Sequence, residues 1–229
     1  MQRIVLSILF TVLYFWGAIP LSGQDRITTW FLDAPDSITP HFNREDRKLL
    51  IDQYTLSVGG KSVEPVRNIY GGNSALLTLS DTRITVKIDD STLFDMKALR
   101  PREAGKELIG VIYTDLTAPA ISSVVFYDPS KSWLRIPARS LVDLPRAEDF
   151  LSDPALIEDP EVKKALVERG LWTYSVSFAD SEETLIFTPT TFTEKTALAL
   201  YPDMASKLVK GLVYGWNKKA FKPRQKLLQ

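Results

Sequence analysis

Residues 83–88 are Arg-Ile-Thr-Val-Lys-Ile, the clearest periodic stretch in the chain. Ile84, Val86 and Ile88 alternate with polar neighbours, so the apolar side chains fall on one face of an extended strand. This alternation is typical of an antiparallel sheet that has one solvated face. The stretch therefore predicts a strand of such a sheet in the middle of the chain.

Similar short apolar runs lie on both sides of this strand, at residues 75–79, 92–99, 107–114 and 121–127. Clusters of Ser, Asp, Gly and Pro separate the runs and are typical of turns. Connections this short cannot hold a crossover helix, so consecutive strands must pair antiparallel. The middle of the chain is therefore predicted to be an antiparallel β-meander.

Two helices are predicted before the meander. Apolar side chains at positions 27, 30, 31 and 34 form the stripe of a short helix that Pro35 ends. A second helix has Asn43 as its candidate N-cap, and Leu49, Leu50 and Tyr54 are expected on its apolar face. These helices are expected to pack on the meander.

The C-terminal part of the chain has a different pattern. Residues 144–161 contain three prolines and six acidic residues, which favours a linker or long loop. A short helix is predicted at residues 160–169, a β-hairpin at 172–188, a helix at 194–201 and a last strand up to residue 216. The predicted fold class is α+β: N-terminal helices packed on a mainly antiparallel β-meander, with a C-terminal helix and β-hairpin unit.

The N-terminal segment predicts export. No charged residue lies between Arg3 and Asp25, and residues 4–15 are almost entirely apolar. Residues 1–23 are therefore predicted to be a signal peptide that is cleaved between Gly23 and Gln24, with a retained membrane anchor as the alternative. After cleavage no membrane span is expected. Because the chain lacks cysteine, it cannot be a lipoprotein, so we expect a periplasmic or secreted protein.

These patterns divide the chain into predicted regions. Residues 24–143 would form a helix-plus-meander domain, 144–161 the acidic linker or long loop, and 162–229 a C-terminal α+β subdomain. The alternative is one continuous domain over residues 24–229, a length that is large enough to bury its own core.

Composition excludes several classes of function. The 229 residues include 28 basic and 28 acidic side chains, one histidine and no cysteine. Without cysteine there is no thiolate metal site or redox pair, and one histidine excludes a multi-histidine metal cage. We therefore predict no metal and no cofactor. The balanced charge also predicts no nucleic-acid partner.

No catalytic residue stands out. His41 is the only imidazole, and no Gly-x-Ser-x-Gly motif accompanies it, so a surface or capping role is favoured. Two carboxylates could hydrolyse a glycoside only if both faced one cleft. The candidate acids near strand ends are Asp89–Asp90, Asp95, Asp115 and Glu182–Glu183. Acids in turns and on the polar side of strands are explained by turn geometry and solubility. We therefore assign no catalytic residue, and whether the protein is an enzyme stays open.

The tryptophans are candidates for stacking on a sugar or a base. Trp30, Trp172 and Trp216 fall on apolar stripes or alternations, which favours packing in the core. Trp133 lies in a polar segment, so its sequence context gives the weakest indication of packing in a core.

The C-terminal region is locally cationic. After Asp203 the chain carries basic residues and no acid. Such a patch attracts negatively charged partners at short range, although a solvated and frayed terminus that keeps an edge strand soluble is the favoured explanation. The predicted binding residues are Lys207, Lys210, Lys218, Lys219, Lys222 and Arg224.

Several stretches together resemble a known family. They are residues 31–40, 47–52, 92–99, 117–120, 125–127, 185–188 and 214–221. The set is similar to domain-of-unknown-function family three-two-five-six, small exported proteins of Gram-negative anaerobes. The resemblance implies an exported, envelope-associated protein. The family has no established activity, so no functional residue is carried over.

The sequence favours a non-enzymatic binding or scaffolding module of the bacterial cell envelope. Its partner would be an envelope protein, an anionic lipid or an anionic glycan that meets the cationic C-terminal region. A carboxylate-dependent hydrolase acting on envelope glycan or peptide is the alternative. A third interpretation is a sheet that accepts a partner strand at an open edge.

Overall fold

The computed structural model describes residues 24–100, 106–168, 172–180, 183–191 and 199–228. These residues form two antiparallel sheets and a few helices, which confirms the prediction of a mainly antiparallel fold. The predicted signal peptide, with Gly23, lies outside the described residues. Gln24 is the first residue of the first helix.

Two helices precede the sheets: α1 (Gln24–Asp33) and α2 (Arg44–Val58). The Oδ1 atom of Asn43 accepts a hydrogen bond from the Asp46 amide at 2.8 Å, and Asp46 Oδ2 accepts one from the Asn43 amide at 3.2 Å. This reciprocal capping box starts α2 where the sequence predicts. Along the helix, Leu50 is buried but Leu49 is 44% exposed, so the apolar face is narrower than expected.

The first sheet is the predicted meander, with each strand pairing antiparallel to the next in chain order. Ile84 and Val86 are fully buried, as their alternation predicts. The strands are β1 (Val66–Arg67), β2 (Asn73–Leu79), β3 (Arg83–Lys87), β4 (Thr92–Leu99), β5 (Leu108–Asp115), β6 (Ile121–Asp128) and β7 (Leu134–Pro137).

The second sheet has four strands in the order β11-β10-β9-β8. Its strands are β8 (Tyr174–Phe178), β9 (Thr184–Pro189), β10 (Gly211–Trp216) and β11 (Phe221–Leu227). The predicted hairpin is β8–β9. The strand predicted to be the last is β10, which pairs with β9. It is not the last, because the exposed, charged segment after it forms a further strand, β11, that pairs with β10. Two short helices complete this part, α3 (Pro160–Lys163) and α4 (Met204–Lys207). Most of the helix predicted at residues 194–201 lies outside the described residues.

The first sheet buries a separate apolar cluster on each face. Phe94 and Met96 of β4 pack against the helices on one face. Ile112 and Phe126 pack on the other face against the second sheet, in a cluster that also includes Phe150 from the acidic segment. Fully burying a side chain of this size stabilises the fold by about 1.5–3 kcal/mol, so these central positions dominate the core.

A glycine allows the two sheets to approach. A Cβ atom added to Gly110 of β5 would lie 2.6 Å from Phe178 Cζ and 3.2 Å from Phe126 Cε1. Nearby, Ser122 Oγ of β6 accepts a hydrogen bond from the Val176 amide of β8 at 2.8 Å. Phe178 therefore occupies the space that a side chain at position 110 would need.

A buried ionic cluster ties the turn between β8 and β9 to the first sheet. Arg83 Nε and Nη2 donate to the two carboxylate oxygens of Asp95 at 3.0 and 2.8 Å, and Nη1 contacts the exposed Asp180. Lys97, which is 2% exposed, donates from Nζ to the carbonyl of Ala179 at 2.6 Å. Burial, and then the nearby Arg83, lower the pKa of Lys97.

The close contact predicts that Gly110→Ala destabilises the fold. The new methyl group would displace Phe178, so we expect the free energy of unfolding in urea to fall by about 1–3 kcal/mol. Phe178→Leu removes the clashing Cζ atom and serves as the second substitution. In the Phe178→Leu background, Gly110→Ala is expected to lower the free energy of unfolding clearly less than it does in the wild type. If the effects of the two substitutions simply add, Phe178 does not occupy the space beside Gly110 in the way described.

The ionic cluster predicts unequal effects for two substitutions on the same face of β3. Arg83→Met leaves the Asp95 carboxylate buried without its bidentate partner and is expected to cost about 3–5 kcal/mol of unfolding free energy. Lys87→Met is the matched control, because Lys87 pairs at 2.6 Å with a fully exposed Asp90 and its loss should change stability little.

A double substitution separates charge burial from packing. Arg83→Met combined with Asp95→Leu removes both charges and should recover most of the lost stability. Two results would contradict this account of the ionic cluster. One is a loss of unfolding free energy in Lys87→Met as large as that in Arg83→Met. The other is a double variant that is no more stable than Arg83→Met alone.

Candidate functional site

Strand β11 forms an edge of the second sheet, and its sequence suits that position. Phe221 is fully buried and anchors the start of the strand, whereas the following five residues are exposed. Pro223 lacks an amide hydrogen, and charged residues flank it, two features that discourage pairing with another strand. This disfavours strand addition along β11.

A β-bulge in β11 directs Arg224 across the neighbouring strand. Val213 pairs with Gln225 and Tyr214 pairs with Pro223, which leaves Arg224 as the extra residue. The arginine side chain then lies over Gly215, where an added Cβ atom would be 1.7 Å from Arg224 Nε. Glycine at position 215 therefore makes room for the guanidinium group.

A cleft opens between β10, β11 and the 3-10 turn at residues 147–150. Its volume is about 270 Å³, close to the lower limit for sites that bind small molecules. The lining residues are Asp149, Leu212, Tyr214, Pro223, Arg224, Gln225 and Lys226. A cleft of this size suits a small group, such as a headgroup, better than a large ligand.

The polar groups of the cleft include two cations, one carboxylate and one phenol. Lys226 Nζ donates to the Leu151 carbonyl at 2.9 Å, and Asp149 Oδ2 accepts from the Arg146 amide at 2.7 Å. Burial, followed by the nearby Asp149, raises the pKa of Tyr214 to about 12. The phenol therefore stays protonated at physiological pH and can donate a hydrogen bond.

The structure brings only part of the predicted cationic set to this cleft. Of the six predicted residues, Arg224 lines it. Lys222 is exposed on β11 and pairs with Gly215 in the backbone register. Lys218 and Lys219 are exposed in the turn between β10 and β11, where Lys218 has a left-handed φ of 72°.

The other two predicted lysines lie near the start of β10. Lys210 is exposed, and its amide donates to the Leu227 carbonyl at 2.7 Å. Lys207 Nζ lies 2.7 Å from Asp159 Oδ2, and this bond raises the pKa of Lys207 and lowers that of Asp159. Lys207 therefore joins the acidic segment to the cationic one and does not line the cleft.

Sequence reasoning missed Asp149 and Tyr214. Tyr214 was visible only as one of the apolar positions of a predicted strand, and Asp149 as one of several acids in the proline-rich segment. The pairing of β10 with β11 brings the phenol beside Arg224, and no local pattern indicates that pairing. The bulge that turns Arg224 is equally invisible in sequence.

The acids considered for hydrolysis have structural hydrogen bonds. Asp89 and Asp115 accept bonds within their own turns, from Ser91 and Thr117, and these bonds lower the pKa of each acid. Asp95 belongs to the buried ionic cluster.

Glu183 accepts a hydrogen bond from the Arg100 amide at 2.7 Å, and Asp90 pairs with Lys87. Glu182 lies outside the described residues. These contacts assign no acid to catalysis, and the hydrolase alternative stays a prediction.

His41 lies among aromatic rings. Its ring centroid is 5.2 Å from that of Tyr70 and 6.2 Å from that of Tyr113. Burial lowers the pKa of His41, although Asp89 opposes the shift. Its Nδ1 atom is buried without a hydrogen-bond partner. Packing against tyrosines is the role that these contacts indicate.

The part of the chain that the structure describes contains neither a metal site nor a membrane-spanning helix. Within these residues no three His, Asp or Glu side chains come together as a metal site. Every helix in the same ranges is too short or too polar to cross a bilayer.

Comparisons with known proteins place the chain in a family. No curated protein matches it. A solved structure described as a domain of an uncharacterized protein from Porphyromonas gingivalis W83 aligns with a TM-score of 0.68 and 20% identity, over 89% of this chain and 100% of that one. That similarity shows a shared fold. The family model described as "Protein of unknown function (DUF3256)" matches residues 21–221, and the chain therefore belongs to this family.

Proposed function

We propose that the protein is a non-enzymatic binding or scaffolding module of the bacterial cell envelope that holds an anionic group in the C-terminal cleft. The observation that carries this proposal is the cleft that brings the side chains of Arg224 and Lys226 beside the Tyr214 phenol. The uncharged segment at residues 4–24 supports the envelope location, because it has the character of an export signal.

The charges of the cleft favour an anion over a cation. Arg224 and Lys226 outnumber the single carboxylate of Asp149, which already accepts a hydrogen bond from the Arg146 amide. A guanidinium and a phenol are both hydrogen-bond donors to phosphate or carboxylate oxygens. The exposed Lys210 and Lys222 add positive charge at the two opposite ends of the β10–β11 pair.

The apolar surface of the cleft limits which ligands can bind there. Leu212, Tyr214 and Pro223 supply apolar surface, so the ligand needs an apolar portion next to its anionic group. A lipid headgroup with its first methylene groups meets this requirement, and so does an acidic sugar residue of a glycan. Both ligands would present a phosphate or carboxylate group to the basic side chains of the cleft.

The proposal predicts salt-sensitive binding to anionic membranes. The purified protein should sediment with vesicles of phosphatidylcholine that contain phosphatidylglycerol, and not with phosphatidylcholine alone. Raising the salt concentration should weaken this association, because screening shortens the range of the attraction. A soluble acidic oligosaccharide should compete if the cleft also accepts sugar carboxylates.

Charge reversal at the cleft tests where the anion binds. Arg224→Glu removes one positive charge and adds one negative charge. It should therefore weaken vesicle binding by about 2 kcal/mol, roughly thirtyfold, since each unit of charge at an anionic surface contributes about 1 kcal/mol. Lys48→Glu makes the same charge change at an exposed position of α2 and is the matched control. Equal binding by both variants, or no binding by the wild type at low salt, would remove the support for this function.

A further inference from the structure

Two tryptophans meet at the edge of the helix-covered face of the first sheet. Trp30 of α1 and Trp133, in the turn before β7, have ring centroids 5.8 Å apart and ring planes at 87°. Tyr127 of β6 packs beside them, 6.4 Å from Trp133. We call Trp30 and Trp133, with Tyr127 beside them, the aromatic corner. Both indoles stay partly exposed, whereas Phe31 and Phe94 fill the fully buried positions of the same cluster.

An unusual turn carries Trp133 to this place. Asp128 caps a 3-10 turn at residues 129–131 by accepting a hydrogen bond from the Ser130 amide at 3.1 Å. Ser132 and Trp133 then follow with φ angles of 52° and 60°. A left-handed backbone is unfavourable for a bulky side chain and persists only where the surroundings hold it. The fold therefore keeps the indole at the surface at an energetic cost.

A buried carboxylate, that of Glu107, holds the polar groups beside the aromatic corner in place. Glu107 is 6% exposed, and its Oε2 accepts a hydrogen bond from Trp30 Nε1 at 2.7 Å. Its Oε1 pairs with Arg26 Nε, also at 2.7 Å, while the Arg26 side chain remains 54% exposed. A guanidinium carries five N–H donors, more than a pairing with one carboxylate needs. Glu107 thus holds an arginine and an indole in one rigid arrangement.

We propose that the aromatic corner binds a pyranose residue of a glycan. Two perpendicular aromatic surfaces can contact the C–H face and the edge of one sugar ring at the same time. Sites of this type combine aromatic walls with a few fixed polar groups that orient the ligand. Arg26 supplies hydrogen-bond donors for sugar hydroxyl or carboxylate oxygens. This site involves residues other than those of the C-terminal cleft and stands independently of the proposed function.

A sugar fits these contacts better than a peptide does. Two exposed charged side chains accompany the corner: Arg26, which pairs with Glu107, and Lys131, two residues before Trp133. An extended peptide needs a long groove or a free sheet edge, with pockets for alternate side chains. A single sugar ring presents apolar C–H groups and many oxygens within the dimensions of two indoles. We therefore assign the corner to a glycan.

Nuclear magnetic resonance on the wild-type protein tests the assignment directly. The probes are the β-1,4-linked hexamers of glucose and of N-acetylglucosamine and an oligomer of a uronic acid. We expect at least one probe to shift the indole N–H signals of Trp30 and Trp133 at millimolar concentration, while the signal of Trp216 stays in place. Trp216 is a suitable reference because it is 5% exposed and its Nε1 donates to the Arg100 carbonyl.

Substitutions then locate the contact. Trp133→Ala should weaken binding of the responding sugar about tenfold, a change equivalent to about 1.4 kcal/mol. Trp172→Phe, at a half-buried tryptophan of the other cluster, is the matched control and should leave sugar binding unchanged. Trp133→Phe keeps an aromatic ring and should retain part of the affinity, even if the alanine variant fails to fold.

Two results would overturn the assignment. One is the absence of any shift at the Trp30 and Trp133 indoles with all three sugars. The other is saturable binding of a proline-rich or aromatic peptide at the same indoles without binding of any sugar, which would make the corner a peptide site. Failure of vesicle binding at the C-terminal cleft leaves this test unaffected.

Discussion

The approach of Phe178 to the backbone of Gly110 is the contact on which the arrangement of the two sheets depends. A meander strand normally has one buried and one solvated face, but the central strands here are buried on both. The helices cover one face, and the second sheet covers the other where position 110 has no side chain. Where that cover ends, the half-buried Arg83, paired with Asp95, and the buried Lys97 contact the turn between β8 and β9. Apolar packing thus brings the sheets together, and buried charges hold the turn.

The same arrangement shapes both surfaces that we assign to binding. The C-terminal cleft exists because β11 carries a bulge and lies at the edge of the sheet, with Arg224 turned across Gly215. The aromatic corner exists because α1 packs on the first sheet and a left-handed turn brings Trp133 to it. Rigid elements position the side chains in each case, which lowers the entropic cost of ordering them when a ligand binds.

Some residues were predictable from sequence and others were not. Asn43 is the expected N-cap of α2, because a cap depends on residues three positions apart, and its partner in the capping box is Asp46. The separation of acidic and basic segments suggested a free cationic patch, but Lys207 pairs with Asp159 and the Lys226 ammonium binds the Leu151 carbonyl. Sequence shows which segments carry opposite charge, and folding decides which of those charges meet.

The amino-acid sequence by itself determined helices α1 and α2, the central strands β2–β6 of the antiparallel meander, the β8–β9 hairpin and the family. These features follow from side-chain periodicity, caps and turns, which involve residues close together in the chain. Only the tertiary structure decided the four-stranded second sheet, the composition of the cleft and the meeting of Trp30 with Glu107. The partners in such contacts are far apart in the chain, 77 positions for Trp30 and Glu107 and 48 for Asp159 and Lys207. No local pattern encodes a contact that depends on how two sheets and a helix pack together.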